Sequence, residues 1–426
     1  MNSALILVGI LLILILMGLP VLYCLGISSA FYLLVTDMRP LIIIAQRTMV
    51  GMDSFVLLAV PLFTLAGYLM EQGGLSRRLV DIVEKIFGRF LGASGTVTIV
   101  CCAIFAALTG SGPATVAAIG AVMLPALDKS GYPKRTAAGM LAAGGALGPI
   151  IPPSITMIVY GSTMSLSIPA MFLGGVIPGI LIAILFIVVN IILAKRYGIK
   201  PNEEKYKLKD IAISLYKSIA ILMLPVIVLG GIYGGIFTPT EAATICVIYS
   251  IILGFAYREL TVKKLLEAMK KTVVTSSTVA VLLGVASVFG WILASAKIPN
   301  MLAEALIPIL GNKYTYTFVL MMILFVVGCL MDSLTSIIIL APILVPIGLQ
   351  LGMDPLHLGV LFCINLVIGF ITPPFGLNLF TAVSVTGTGF VDVVRGVLPF
   401  LIAAILAVFV LAYVPGIILF LPNLNL

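Results

Sequence analysis

Charge is scarce in this sequence. Of its 426 residues only 9% are Asp, Glu, Lys or Arg, whereas 62% are hydrophobic, and the mean hydropathy is +1.27. The apolar runs are not separated by any polar segment long enough for a soluble domain, which excludes a soluble multi-domain protein. A membrane-spanning helix needs about 20 mostly apolar residues, and such runs follow one another almost from end to end. The composition therefore predicts an all-α polytopic membrane protein.

Residues that commonly catalyse reactions or bind transition metals are also few. The single histidine, His357, follows Asp354-Pro355 at the start of a predicted helix, which favours a solvated interfacial residue over a proton relay. The six cysteines lie in apolar runs and form neither a metal-ligand motif nor a disulfide framework. The sequence contains no Walker loop and no pattern typical of a catalytic triad. These absences favour a protein that is neither an enzyme nor an ATPase.

A double proline occurs twice, at Pro152-Pro153 and Pro373-Pro374, in segments related by a shift of 221 residues. A helix cannot continue undisturbed through Pro-Pro, because each ring removes a backbone donor and clashes with the preceding turn. In hydrocarbon such a break is tolerated only where the freed backbone groups are buried in protein or line a wet cavity. Two matched broken helices in two halves of a chain therefore indicate a transporter with its binding site at the breaks.

The repeat divides the chain into two halves. The first repeat covers residues 1–197, a lysine-rich cytoplasmic linker covers 198–215, and the second repeat covers 216–426. Each half contains a helical hairpin that re-enters on the side it came from, followed by a helix broken at Pro-Pro. These elements are the hairpins near 94–127 and 314–350 and the broken helices near 136–165 and 356–386.

The remaining apolar runs predict ordinary spans, and two amphipathic segments lie between them. The amphipathic segments, 76–90 and 299–311, are expected along the membrane interface, although buried connecting helices would have the same pattern. The other predicted spans are 3–18, 20–37, 53–70, 170–194, 216–233, 240–257, 275–296 and 391–420.

The basic residues indicate how the halves are oriented. If each hairpin enters and leaves the membrane on one side, each half crosses an odd number of times, so the halves have inverted topology. Twenty of the 24 Lys and Arg residues then lie on one face, which the positive-inside rule assigns to the cytoplasm. The charge excess of +8 thus reports topology rather than nucleic-acid binding, and both termini are expected in the periplasm. The other face has only Arg39, Arg47, Lys297 and Lys313.

The turns of the two hairpins, here called the first tip (residues 108–115) and the second tip (330–336), are polar patches in apolar surroundings. Their hydroxyl, carboxylate and freed carbonyl oxygens suit a hard monovalent cation rather than a soft metal. The N-termini of the half-helices at the same places favour an anionic group. The tips are therefore expected to combine cation and anion binding.

Individual polar residues allow two interpretations. Asp332 is an ionisable group at membrane depth, which is costly and so indicates function, but it could also cap the helix that leaves the tip. The tip hydroxyls could simply bond back to helix carbonyls, and the hydroxyls of residues 275–278 could line a pathway or cap a helix. On the second broken helix Asn378 is the stronger polar candidate, whereas Asn365 could form a helix–helix hydrogen bond.

Several motifs, taken in chain order, resemble one transporter family. They are Pro61-Leu62-Phe63 with Ala66-Gly67, the first tip, Ile151-Pro152-Pro153-Ser154, Pro239-Thr240-Glu241-Ala242, the block 352–359, and Thr372-Pro373-Pro374-Phe375-Gly376. Together they cover nearly the whole chain and resemble the large membrane subunit of tripartite ATP-independent periplasmic (TRAP) transporters, the DctM-like family. The resemblance implies a sodium-coupled, elevator-type secondary transporter of the ion-transporter superfamily.

The resemblance also implies partners and a location. Such a subunit works in the bacterial inner membrane, surrounded by lipid, with a small four-helix membrane subunit (DctQ-like) and a periplasmic substrate-binding protein (DctP-like). A four-helix region does not precede Met1, so the small subunit is expected to be a separate chain. The solute is expected to carry a carboxylate, as C4-dicarboxylates, sialic acids, other sugar acids and keto acids do. The alternatives are a stand-alone sodium/dicarboxylate symporter of the same superfamily and, in another class, an ion channel.

By this resemblance, two or more sodium ions bind where each tip faces a Pro-Pro break. The first tip reads Ser-Gly-Pro where many relatives have Ser-Gly-Ser, so Pro113 removes one hydroxyl from the first ion site. The residues expected to bind sodium are Ser111, Thr115, Gly148, Pro152, Asp332, Ser333, Thr335, Gly369, Thr372 and Pro373. Those expected to bind the solute are Ser111, Gly112, Ser154, Ser333 and Asn378.

Overall fold

Residues 2–36, 39–88, 90–199 and 208–425 are described by a computed structural model of the chain. These ranges contain twenty α-helices and one 3-10 helix but no β-strand, which confirms the all-α prediction. Seven helices in the same ranges are long and apolar enough to cross a membrane. Four residues that the charge count assigns to the cytoplasmic face lie outside the described residues, namely Arg89, Lys200, Lys205 and Lys207.

The helices follow the predicted order in both halves. Those of the first half are α1 (Asn2–Leu16), α2 (Val21–Thr36), α3 (Ile42–Met52), the 3-10 helix (Phe55–Leu58), α4 (Ala59–Gln72), α5 (Leu75–Phe87), α6 (Ala93–Thr109), α7 (Gly112–Lys129), α8 (Lys134–Ala146), α9 (Ile155–Met164) and α10 (Ile168–Arg196). Those of the second half are α11 (Leu208–Tyr233), α12 (Pro239–Ala256), α13 (Val262–Ser295), α14 (Ile298–Leu310), α15 (Lys313–Leu330), α16 (Ser333–Gln350), α17 (Pro355–Gly369), α18 (Leu377–Thr386), α19 (Phe390–Tyr413) and α20 (Pro415–Asn425).

The helix bounds of the two halves can be compared at the shift of 221 residues. At this shift α7 and α16 coincide at both ends, and α13 corresponds to α3 and α4 taken together. In the first half Asp53 and Ser54 leave the helical conformation and interrupt this element. Helix α3 lies outside the predicted spans because Gln46-Arg47-Thr48 interrupts its apolar run. Helix α11 already begins at Leu208, so it takes in residues 208–215 of the segment assigned to the linker.

The helices pack in two groups. Helices α2, α3, α4, α11, α12 and α13 contact mainly one another and are called the α13 group, and α6–α10 with α15–α20 are called the hairpin group. The amphipathic helix α5 packs on both α6 and α11, and α14 packs on both α13 and α16. The apolar side chains of α5, among them Leu75, Leu79 and Val83, are buried. These two helices therefore connect the groups, and the buried side chains of α14 are only Ile298 and Ala303.

Helices α8 and α17, which lead into the two breaks, form the centre of the hairpin group. Every residue of 136–146 and of 357–369 is buried. A Cβ atom added to Gly139 of α8 would lie 2.1 Å from the carbonyl carbon of Gly396 in α19. The two backbones are thus in direct contact, an approach that small residues allow between membrane helices.

His357 at the start of α17 is buried rather than solvated. Its side chain is 2% exposed, and its Nε2 atom lies 3.0 Å from the carbonyl oxygen of Leu411. Asp354 caps α17 by accepting hydrogen bonds from the backbone N–H groups of Leu356 and His357, both at 2.9 Å. The expectation of a solvated interfacial histidine is wrong, because α19 covers a helix start that looks polar in the sequence.

Candidate functional site

At the first tip, α6 ends at Thr109 because Gly110 adopts a left-handed conformation (φ 61°), which suits glycine. Ser111 is extended (φ −126°, ψ 127°), and α7 then begins with Pro113 in its first turn. Within the described residues the Ser111 side chain makes no capping hydrogen bond to α7. Its hydroxyl therefore remains available to a ligand.

The two threonines of the first tip form hydrogen bonds within the tip. The Thr109 hydroxyl donates to the carbonyl oxygen of Phe105 (3.2 Å), and the Thr115 hydroxyl donates to that of Ser111 (2.8 Å). The two hydroxyl oxygens lie 3.3 Å apart, and both side chains are buried. These are bonds back to helix carbonyls, so Thr115 supports the shape of the tip from beneath.

At the second tip, Asp332 caps α16. One of its carboxylate oxygens accepts from the backbone N–H of Thr335 (2.9 Å), and the other accepts from the Thr335 hydroxyl (2.5 Å). Asp332 is nevertheless exposed, because it borders the cavity between the tips. The geometry is therefore compatible with both interpretations of this residue, a helix cap and a ligand.

The break of each half lies against the hairpin of the same half. In the first half, a Cβ atom added to Gly148 would lie 2.7 Å from the carbonyl oxygen of Ser111. In the second half, one added to Gly369 would lie 2.3 Å from the carbonyl carbon of Gly328, close to the end of α15. Both double prolines contain a cis peptide bond. The backbone of each break is thus in direct contact with the hairpin that it faces.

The two halves also contact each other at the tips. The Ser333 hydroxyl of the second tip lies 3.2 Å from the hydroxyl of Thr156 on α9. Asn378 on α18 donates from Nδ2 to the carbonyl oxygen of Ala142 (3.3 Å), and its Oδ1 atom lies 2.7 Å from the position of a Cβ added to Gly112. This buried Oδ1 has no hydrogen-bond partner in the described part of the chain. Its position against Gly112 of the first tip, rather than the missing partner alone, makes this acceptor a candidate cation ligand.

A cavity of about 230 Å³ lies between the tips, where the hairpin group meets the α13 group. Helices α4 and α13 form one wall, and the tips and breaks form the other. Of the residues expected to bind sodium or solute, Ser111, Gly112, Asp332 and Ser333 line this cavity. The tips of the two halves, distant in sequence, therefore line one cavity.

The other predicted site residues do not line the cavity. The Ser154 hydroxyl donates to the carbonyl oxygen of Pro149 and accepts from the backbone N–H of Met157 (3.2 Å), so it caps α9. The Thr372 hydroxyl donates to the carbonyl oxygen of Ile368 (2.9 Å). The predicted residues that do not line the cavity are Thr115, Gly148, Pro152, Ser154, Thr335, Gly369, Thr372, Pro373 and Asn378.

Sequence reasoning missed Thr156 and Tyr68, both of which line the cavity. Thr156 has an apolar residue at the equivalent position of the second half, so the repeat contains no polar signal there. Gly67, which also lines the cavity, occurs in one of the family motifs, and a Cβ added to it would lie 3.3 Å from the Thr109 side chain. Thr275, left open between pathway and cap, lines the cavity opposite the tips, and its hydroxyl lies 3.5 Å from that of Tyr68.

Residues 8–417 match the family described as "Tripartite ATP-independent periplasmic transporter, DctM component". The chain belongs to the DctM family. This match covers both tips, both breaks and both packing groups, and it confirms the resemblance found in the motifs. DctM proteins are transporter permeases rather than enzymes, so the expectation that this DctM protein is not an enzyme is confirmed too.

Three curated relatives of this DctM protein are TRAP permeases. The isethionate TRAP transporter permease protein DctMQ of Oleidesulfovibrio alaskensis is 39% identical over 95% of this chain, which spans 64% of that relative's length. The C4-dicarboxylate TRAP transporter large permease protein DctM of Pseudomonas aeruginosa is 36% identical over 94% of this chain and 93% of its own. The sialic acid TRAP transporter large permease protein SiaM of Vibrio cholerae is 34% identical over 96% of both chains. Membership of a tripartite family disfavours the stand-alone symporter.

A solved membrane transporter shares the fold of this DctM protein. The crystal structure of the Alcanivorax borkumensis YdaH transporter superimposes with a TM-score of 0.63 over 98% of both chains, at 16% sequence identity. At this identity the likeness concerns the fold alone. A multi-pass helical membrane protein of the TRAP family is located in the inner membrane, and this chain is such a protein.

Proposed function

We propose that this DctM protein is the substrate-translocating large permease subunit of a sodium-coupled TRAP transporter that imports a small organic anion. The observation that carries the proposal is the cavity between the tips, in which oxygen atoms of both halves meet. Ser111, Thr156, Asp332 and Ser333 contribute hydroxyl and carboxylate oxygens to its wall. Oxygen donors of this kind suit a hard cation such as Na⁺, which here is cargo that crosses together with the solute.

The negative charge of Asp332 favours a sodium site at the second tip. A cation beside the Asp332 carboxylate offsets the cost of holding an ionised group at membrane depth. Each carboxylate oxygen accepts one hydrogen bond from Thr335, which fixes the orientation of the group. A carboxylate has about four lone-pair sites, so Asp332 retains acceptor capacity toward the cavity.

Neutral oxygen atoms favour a sodium site at the first tip. The hydroxyl of Ser111 lines the cavity, and the backbone of the break at Gly148 contacts the same residue. Asn378 reaches this tip from the other half with the Oδ1 atom that lacks a donor in the described chain. A cation bound here satisfies that buried acceptor, so we assign Asn378 to the first ion site as well as to the solute site.

The same tips suit the anionic group of a solute. Helices α7 and α16 both begin at the cavity, so their N-termini carry positive partial charge toward it. The Ser333 hydroxyl, paired with that of Thr156, provides a donor on the cavity wall. Sodium ions at the tips partly neutralise the anion that binds between them, which couples the binding of one to the binding of the other.

The two packing groups support an elevator-type movement. The hairpin group contains both tips and both breaks, so it carries all the residues proposed to bind sodium. Helices α5 and α14 connect it to the α13 group, and the cavity lies on the boundary between them. A displacement of the hairpin group along α13 moves the cavity from one side of the membrane to the other without dismantling the ion sites.

The relatives favour a class of solute and a set of partners. Their names specify isethionate, C4-dicarboxylate and sialic acid, which share small size and a carboxylate or sulfonate group. We propose a solute of that chemistry for this chain. A tripartite system also needs a small membrane subunit and a periplasmic binding protein, and these are the proposed partners.

Uptake into proteoliposomes tests the proposal. The chain, coexpressed with its small subunit and supplied with its binding protein, is offered labelled succinate, isethionate and N-acetylneuraminate. Uptake of at least one solute should need an inward sodium gradient and should depend on sodium sigmoidally. Uptake that proceeds unchanged in choline medium would contradict sodium coupling, and a hyperbolic dependence would contradict the binding of more than one ion.

A further inference from the structure

A second and larger cavity lies along the C-terminal part of α13, beside residues from Leu283 to Ala294. Its volume is about 610 Å³, and its wall is formed by α3, α9, α13, α14 and α16. Arg47 of α3 and Trp291 of α13 line it, together with the hydroxyl-bearing residues Ser54, Thr163 and Ser287. The cavity is thus polar in part, carries a positive charge, and is large enough for a small organic acid.

Arg47 is held against an aromatic ring. Its guanidinium carbon lies 5.2 Å from the centroid of the Trp291 ring, a distance typical of a cation–π interaction. The side chain is half-buried, and within the described residues no carboxylate forms an ion pair with it. A guanidinium has five N–H donors in one plane, and stacking on a ring leaves its edges accessible. Such an arginine is suited to a carboxylate or sulfonate, which it binds through two parallel hydrogen bonds.

A cavity of about 250 Å³ lies between the Arg47 cavity and the tips. It shares Leu283 with the Arg47 cavity and Val279 with the cavity between the tips. The three cavities follow α13 from Ala294 to Thr275, a distance of about 28 Å at the helical rise of about 1.5 Å per residue. They therefore line one side of α13 over a length comparable to the hydrocarbon core of a bilayer.

We propose that the Arg47 cavity is a second anion site, which binds the carboxylate or sulfonate of the transported solute before the solute reaches the tips. This inference rests on the proposed function, since it takes the solute to be an organic anion. The cavity lies at the Lys297 end of α13, on the face with few basic residues that is predicted to be periplasmic. On that face an arginine without an ion-pair partner among the described residues attracts anions and raises their local concentration.

Trp291 allows the site to be tested directly. It is the only tryptophan of the chain, so its fluorescence reports on the Arg47 cavity. The purified full-length chain is titrated with succinate, isethionate and N-acetylneuraminate at constant sodium concentration and ionic strength. At least one of them should change the emission saturably, and Arg47→Gln should raise the half-saturating concentration at least about tenfold, because a hydrogen-bonded charge pair is lost.

Gly290 offers a second variant that leaves Arg47 and Trp291 in place. It lines the same cavity, and a Cβ added to it meets no atom of the described residues within 4 Å. Gly290→Asp introduces a negative charge into the cavity and should weaken anion binding by about tenfold, whereas the equally large Gly290→Asn should change it by less than about twofold. Arg39→Gln, on the same predicted face, removes an exposed positive charge outside the cavity and is the matched control for Arg47→Gln.

Each result supports or overturns the Arg47 site. Asp354→Asn should leave the Trp291 titration unchanged, because Asp354 caps α17 and lines neither cavity. An unaltered half-saturating concentration in Arg47→Gln, or equal effects of Asp and Asn at position 290, overturns it. If a solute that the proteoliposomes accumulate causes no change in Trp291 emission, the Arg47 site is also overturned. The same holds if vesicles of anionic phospholipid change the emission without any solute. If uptake into proteoliposomes does not depend on sodium, the proposed function is contradicted instead. The Trp291 titration can still be interpreted in that case.

Discussion

The two hairpin tips occupy equivalent positions but hold their polar groups differently. At the shift of 221 residues Ser111 corresponds to Asp332, and both precede helices with coinciding bounds. Asp332 caps its helix through Thr335, whereas Ser111 makes no capping bond among the described residues. The second tip thus carries a charge that its own helix orients. The first tip has the Ser111 hydroxyl, which makes no capping bond among the described residues, and Asn378 Oδ1 of the other half lies beside it at Gly112.

This difference indicates that the two proposed ion sites are unequal. A charged ligand attracts a cation more strongly than a neutral oxygen does, and the effect grows where water is scarce. The second site should therefore bind sodium more tightly, and a change at the second tip should cost more than a change at the first.

The largest expected effect is the side from which an introduced cysteine can be labelled, which tests whether the two halves are inverted. Lys129 and Gln350 occupy equivalent positions at the ends of α7 and α16, and both are exposed. If the repeats are inverted, Lys129→Cys should react with a membrane-impermeant maleimide only from the cytoplasmic side and Gln350→Cys only from the periplasmic side. The native cysteines are buried and should contribute little background. Labelling of both positions from the same side would exclude inverted topology.

Asp332→Asn should produce the largest change in sodium dependence. The substitution keeps the shape and a capping oxygen but removes the charge, so the sodium concentration for half-maximal uptake should rise by about tenfold or more. Asp354→Asn is the matched control, because Asp354 caps α17 in a similar way at a position away from the tip cavity. A normal sodium requirement in Asp332→Asn would leave this carboxylate as a helix cap only.

Asn378→Ala tests whether Asn378 Oδ1, which reaches the first tip from the other half, binds sodium. Loss of one neutral ligand is worth about 1 kcal/mol, so the sodium requirement should rise by about fivefold. Asn365→Ala is the control, since Asn365 is also buried and its Oδ1 also lacks a partner among the described residues, but it lies on α17 and bonds to Leu361. If both variants shifted the sodium requirement equally, the effect of Asn378→Ala would have to be attributed to lost packing.

The smallest effects are expected at the first tip itself, and they should have opposite signs. Ser111→Ala removes a hydroxyl from the cavity wall and should raise the sodium requirement by about threefold. Pro113→Ser adds a hydroxyl at a position that also lines the cavity, so it should lower the requirement. Both are measured as sodium-dependent uptake in proteoliposomes. A change in the same direction for the two variants would mean that hydroxyl count does not determine the first site.

Local patterns in the sequence predicted the elements of the site with small errors. The first hairpin was placed at 94–127 and spans residues 93–129, and the first broken helix was placed at 136–165 and spans 134–164. Proline and glycine act on the backbone where they stand, and hydropathy adds up along a run, so these features need no knowledge of the rest of the chain. Helix α3 was missed because spans were predicted from continuous apolar runs, and the polar residues 46–48 interrupt its run.

Residue composition and order thus predict that this chain lies in a membrane, where its helices break, and which two tips carry oxygen donors. Which of these groups meet depends on how the helices pack in three dimensions. Ser333 pairs with Thr156, 177 residues away in the chain, and Arg47 stacks on Trp291 across two helices. His357 was misjudged because α19 covers it. Apolar helices look alike in sequence, and which faces pack together depends on the fit of all their side chains at once.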